Sequence, residues 1–283
     1  MSQRLGSIFH NLQSIALFFL LCVTPAVLSV SGAAAQQQAD PPAGDPVQKP
    51  PLTVDEIVSR LLEKNHEREM ALRKLQGRRI YRVQYHGILG THKAEAVVDY
   101  KYAAPNDKQF AVVSQTGSKF IMDHVIKGLL DGEKEAATDD NRQRTALNTV
   151  NYDFTLAEAD TTREASQYVL NVTPKTNYKF LYRGRIWVDA KDFAVARIEA
   201  EPAKTPSVWV KRTEVRHRYE RVGEFWLPAE NESESWIHLG GRALLTIEYT
   251  DYKITETTPL DPADNAPGNS NGPAATLSHV DFH

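Results

Sequence analysis

The chain has one cysteine, Cys22, among its 283 residues. No internal disulfide can form, so stability has to come from a packed core. An excess of one charge sign is lacking too: Lys and Arg number 33 against 36 Asp and Glu. Without a basic stripe the chain has no electrostatic case for nucleic acid, and no nucleic-acid partner is expected. The locally basic stretch with Lys211, Arg212, Arg216, Arg218 and Arg221 interleaves Val215, His217 and Tyr219. It reads as a solvated strand face. No Gly-rich phosphate loop and no Gly-x-Ser-x-Gly elbow is present. Asp189 and Glu199 each follow an apolar strand residue, Val188 and Ile198, and alternation turns them toward solvent. His279, Asp281 and His283 alternate in a tail whose composition is that of disordered chain. His86 and His92 flank a turn and read as surface residues. No catalytic residue, no metal site and no cofactor is expected.

A membrane-spanning run is also lacking. The apolar stretch Ile15–Val30 is interrupted at Pro25, and a spanning helix needs roughly 20 apolar residues. Arg4 precedes it, and Ala33-Ala34-Ala35 follows just before Gln36. This order is that of a cleaved export signal over residues 1–35. Leu21 before Cys22 argues against lipid attachment at that cysteine.

What is present is alternation. Residues 36–51 are rich in Gln, Pro, Ala and Asp and read as a disordered linker. Thr53 with Glu56 three places on makes a capping box. Val54, Ile57, Val58, Leu61 and Leu62, then Met70, Leu72 and Leu75, predict a helix over 53–76 that stops at Gly77. Strands are expected over 79–85, 94–102 and 110–114, with a hairpin link at 87–93. Past Gly117 the period changes: Ile121, Val125 and Leu129 form one helical row, and Met122, Ile126 and Leu130 another. Residues 131–149 are polar and predict a loop or a short helix around 139–147. Strands resume at Tyr152–Leu156 and continue as a meander to Ile254. Among them are 180–189, 193–200, 208–220, 225–228, 229–238 and 242–254, with turns at Gly223 and at Gly240-Gly241. The tail 258–283 reads as disordered. The fold class is α+β: one domain, 52–257, with a sheet whose greasy face has to be covered.

The order of these elements resembles the periplasmic lipoprotein-sorting carriers, the LolA/LolB-like superfamily, in its larger uncharacterised bacterial branch. The residues that carry the likeness are 125–136 (VIKGLLDGEKEA), 151–154 (NYDF), 168–175 (YVLNVTPK), 184–199 (GRIWVDAKDFAVARIE) and 219–228 (YERVGEFWLP). The resemblance implies a curved antiparallel half-barrel with helices over its concave side. It also implies a hollow that takes the acyl chains of lipids or lipoproteins without covalent chemistry, in the periplasm next to the outer membrane. Partners would be acyl chains and membrane donor and acceptor proteins, with the carrier a monomer. Candidate cavity residues are Tyr81, Tyr85, Tyr100, Phe110, Phe154, Tyr168, Trp187, Trp209 and Trp236. Ile57, Leu61, Val125 and Leu129 are candidate lid residues. A lipid-sensing regulatory protein and a secreted hydrolase are the alternative readings.

Overall fold

The computed structural model describes residues 52–88, 90–157, 166–205, 210–238 and 240–259. The expected export signal, the linker before residue 52, Trp209 and the tail beyond residue 259 lie outside the described residues.

The capping box forms as its spacing predicts. The Glu56 amide donates to Thr53 Oγ1 at 3.3 Å, and the Thr53 amide donates to the Glu56 carboxylate at 2.8 Å. Helix α1 runs over Val54–Ala71, not on to residue 76. Leu72 and Leu75 belong instead to strand β1, Leu72–Gly87. Leu75 lies opposite Tyr102 on one side and Ile254 on the other. A central strand gains two ladders of backbone hydrogen bonds, and this outweighs a weak helical period. Gly77 is therefore no helix stop but a position within the strand.

Strands β2 (Gly90–Ala103) and β3 (Asp107–Gly117) complete a first meander. Seven more follow: β4 (Tyr152–Leu156), β5 (Gln167–Pro174), β6 (Tyr182–Asp189), β7 (Val195–Pro202), β8 (Val210–Val222), β9 (Phe225–Ile237) and β10 (Gly241–Thr257). The two runs expected at 225–228 and 229–238 are one strand, β9. All ten form a single antiparallel sheet in the order β3-β2-β1-β10-β9-β8-β7-β6-β5-β4. The first and last strands are thus neighbours. The edges, β3 and β4, are consecutive in the chain and do not pair, so the sheet stays open.

Helical chain fills the link between those edges. Helix α2 (Lys119–Ile121) runs through a π turn at Met122–Ile126 into α3 (Lys127–Ala136), and α4 (Asp139–Thr145) follows. Gly117 makes the exit from β3 with φ +92°, and a Cβ there would sit 2.3 Å from the Lys93 carbonyl oxygen. Only glycine fits that corner.

Cross-strand pairing shows how completely the sheet is two-faced. One row of directly opposed residues crosses all ten strands: Gln115, Ala96, Tyr81, Ile247, Asn231, His217, Ile198, Ile186, Leu170 and Leu156. From Ala96 through Leu170 every member is buried. The next row is Thr116, Glu95, Arg82, Thr246, Glu232, Arg216, Glu199, Arg185, Asn171 and Thr155. It is wholly polar and joined by ion pairs: Arg82–Glu95 at 2.8 Å, Arg216–Glu232 at 2.9 Å and Arg185–Glu199 at 3.3 Å. Opposed residues share a face and adjacent ones do not.

The buried face carries two large apolar clusters. Ile57, Val58 and Leu61 of α1 pack with Leu170, Ile186, Val188 and Ile198. Ile121, Met122, Val125, Ile126 and Leu129 pack with Tyr81, Val83, Ala96, Val98 and Ile247. The second contact is fixed by a buried ion pair. Arg79 of β1 meets Glu133 of α3 at 2.7 Å, with both side chains 4 % exposed. The Tyr81 hydroxyl also donates to Glu133, at 3.3 Å. The guanidinium stacks over Tyr100 at 4.1 Å and Tyr249 at 5.1 Å. Burial works against the Arg79 charge, but Glu133 and the neighbouring Tyr81, Tyr249 and Tyr100 together outweigh it and hold the guanidinium well above its usual pKa.

Breaking this pair one-sidedly strands a buried charge. Glu133→Leu alone is expected to cost about 3–5 kcal/mol in urea unfolding, and Arg79→Met combined with Glu133→Leu is expected to recover most of it. Equal losses in the single and double variants would show that the pair does not act as a unit.

Candidate functional site

A third, smaller cluster lies where α1 turns into β1: Ala71, Leu75, Tyr100, Phe225 and Leu227. Here the packing opens into a cavity of about 170 Å³. Its apolar wall comprises Leu72, Leu75, Tyr100, Tyr102, Val195, Phe225, Leu227 and Tyr252. The Tyr252 hydroxyl donates to the Pro228 carbonyl at 2.7 Å, and that of Tyr102 to the Pro105 carbonyl at 3.1 Å. Both polar tips are thus satisfied at the wall. An apolar cavity of roughly 150 Å³ holds one benzene ring, so the space takes a ring or a short stretch of alkyl chain.

The rim is charged. From the last turns of α1, Arg68 donates to the carbonyl oxygens of Asp192 and Phe193. Glu69 binds Arg142 of α4, which also donates to Asn106. Asn106 in turn donates to Asp139 at 2.8 Å. Burial pushes the Glu69 carboxyl up to about 7, with Arg142 opposing. Trp226 Nε1 donates to Asp192 Oδ2 at 2.9 Å. Lys108, the second residue of edge strand β3, completes the mouth.

Of the nine aromatic candidates, Tyr100 lines this cavity. Tyr81 and Tyr85 are buried on the same face under the α2–α3 segment. Phe110 packs against both that cluster and the cavity wall. Phe154 and Tyr168 border the α1 cluster. Trp187 and Trp236 lie on the opposite, polar face, because each directly follows or precedes a buried isoleucine, Ile186 or Ile237. Trp187 is flanked by Arg185 and Arg197 at 5.3 and 4.7 Å, and Trp236 by Arg212 and Arg242 at 5.8 and 5.9 Å. The lid candidates Ile57, Leu61, Val125 and Leu129 are all buried against the sheet.

The sequence reading missed Leu72 and Leu75 as wall residues because it placed them on a helix. It also passed over Lys108. The signal was there: Lys108 and Phe110 are two apart on one strand and share a face. His217 is another buried polar group, 1 % exposed, stacked on Tyr219 at 4.6 Å and Tyr249 at 6.2 Å. Four residues along β8 on the same buried face, Thr213 and Ser235 hydrogen-bond at 3.0 Å. Among the described residues no group of three or more His, Cys, Asp or Glu could hold a metal ion.

No family model matches the chain, and no curated protein matches it. Several solved structures are similar to it at low identity. A LolA superfamily protein from Nitrosomonas europaea is 12 % identical, covering 73 % of this chain and 95 % of its own, with a TM-score of 0.33. A DUF1329 family protein from Desulfovibrio piger is 13 % identical over 71 % of this chain and 92 % of that one, TM-score 0.35. A putative outer membrane lipoprotein-sorting protein domain from Vibrio parahaemolyticus is 7 % identical over 69 % and 91 %, TM-score 0.35.

Burial, helped by Arg79, pushes the His217 imidazole down to about 3 from its usual 6.5. Between those values the unfolded chain binds the extra proton and the folded chain does not, so stability falls as the pH drops. From pH 7 to pH 5 this one group is expected to remove about 2 kcal/mol. His217→Phe, which keeps the ring stack, should lose that share of the pH dependence in urea unfolding. An unchanged pH dependence would contradict the buried, neutral imidazole.

Proposed function

We propose that the chain is an exported, non-enzymatic carrier or binder of lipid or lipoprotein acyl chains. The sheet curves as a half-barrel, and α1 and α2–α3 cover its concave side. The observation that carries this reading is the apolar cavity beneath the C-terminal half of α1, with its charged rim.

The two halves of α1 are held differently. Ile57, Val58 and Leu61 bury its N-terminal half in an apolar cluster. Arg68 and Glu69 hold the other half by polar contacts at the rim of the cavity. Each net hydrogen bond is worth only about 0.5–1.5 kcal/mol, or 1.5–3 where a charge takes part. Burying an acyl chain yields ~0.8 kcal/mol per methylene, on the order of 10 kcal/mol gross for a dozen. The ligand therefore supplies enough to lift the C-terminal turns while the N-terminal half stays docked. In this role Ile57 and Leu61 anchor the cover, and Val125 and Leu129 anchor its second part. Tyr100 is a cavity wall residue. Tyr81, Tyr85, Phe110, Phe154 and Tyr168 line the face into which a long chain extends.

The test is binding of the neutral fluorescent probe N-phenyl-1-naphthylamine to the full chain and to Leu75→Trp, which fills the cavity. Overpacking of this kind costs about 1–3 kcal/mol of stability, so the variant should still unfold cooperatively. Its probe affinity is expected to fall about tenfold or more, a loss of at least ~1.4 kcal/mol. Equal binding by both proteins, or none by the wild type, would count against the cavity as the binding site.

A further inference from the structure

The cavity is lined by four cationic side chains, Arg68, Arg79, Lys108 and Arg142, and one carboxylate, Glu69. The three arginines are engaged within the chain. Arg68 is held by backbone carbonyls of Asp192 and Phe193, Arg79 by Glu133, and Arg142 by Glu69 and Asn106. Lys108 is different. It lies opposite Tyr102 in the pairing of β2 with β3, and two residues from Phe110, which lies opposite Tyr100. Alternation thus puts its side chain on the cavity face. Its ammonium makes no hydrogen bond and no ion pair among the described residues. Such a group, part-buried and facing an apolar hollow, calls for an anionic partner.

We propose that Lys108 anchors the head group of an anionic single-chain amphiphile, a carboxylate or phosphate, whose alkyl chain lies among Leu72, Leu75, Phe225 and Leu227. This rests on the acyl-chain reading above and specifies its ligand class. The charged groups that act on Lys108 are Glu133 from α3, Arg79 from β1 and Arg142 from α4, and Glu69 from α1 lines the same cavity. Burial pushes the Lys108 amine down to about 8, with Arg79 and Arg142 adding to the effect and Glu133 opposing it. The anchor is therefore charged below about pH 8 and lost above it, so head-group preference fades as the pH rises. An inward-pointing lysine on an edge strand also discourages pairing with other chains. That role alone makes no distinction between charged and neutral ligands.

The experiment is calorimetric titration of the full chain with dodecanoate and with dodecanol, which share a chain and differ in head-group charge. Dodecanoate is expected to bind about tenfold or more tightly at pH 7, the strength of a charge-assisted contact. The preference should shrink toward pH 9.5. Lys108→Met should abolish it at pH 7, whereas Lys108→Arg should keep it at both pH values. Acetate, the head group without the chain, should not displace dodecanoate; displacement would mean a simple anion site and overturn the proposal. An anion preference that survives in Lys108→Met, or that is independent of pH in the wild type, would also overturn it. If dodecanol binds but dodecanoate is no tighter, the Lys108 anchor fails and the acyl-chain reading stands. If neither binds, both fall.

Discussion

An open sheet with one apolar face has to be covered, and the rest of the molecule follows from that constraint. Opposed residues alternate in step, so that one row is buried from Ala96 through Leu170 and the next is wholly polar. The polar face needs only water and its cross-strand ion pairs. The apolar face is far too large to leave exposed to water. Among the described residues α1 and the α2–α3 segment pack against it, each through its own cluster. The buried Arg79–Glu133 pair gives the second contact a defined register. At the place where α1 gives way to β1, the two covers leave the cavity.

The two ends of α1 are held by different kinds of contact. Its first half is locked by side chains with essentially no exposure, Ile57 and Leu61 among them. Its last turns are held by Arg68 and Glu69, whose partners are backbone carbonyls and an arginine at the cavity rim. Burial already presses on these charges: it lowers the Arg68 pKa and raises that of Glu69 to about 7. Contacts of this kind are directional and individually modest, so on the proposed carrier reading they would exchange for others when a ligand enters. A cover built entirely of leucines would have no such weak side.

Much of this was legible in the chain. The capping box at Thr53 and Glu56, the change of period after Gly117 and the turns at Gly223 and Gly240-Gly241 each carry their own local physics, and each appears where expected. The end of α1 was not legible. Leu72 and Leu75 fit a helical period, and only pairing with β2 and β10, distant in sequence, decides for a strand. Among the site residues, aromatic character proved a weaker guide than parity along the strand. Tyr100 and Phe110 share the buried face, while Trp187 and Trp236, one residue out of step, stack between arginines outside. Lys108 shows the converse: parity would have placed it inward, although its charge suggested otherwise.

The most direct measurement is photo-crosslinking with a dodecanoic acid that carries a diazirine in its chain, followed by mass-spectrometric mapping of the attachment sites. The account predicts labels concentrated on Leu72, Leu75 and the segment 225–228, and competition by unlabelled dodecanoate. Labels scattered over the polar face, around Trp187 and Trp236, would contradict it.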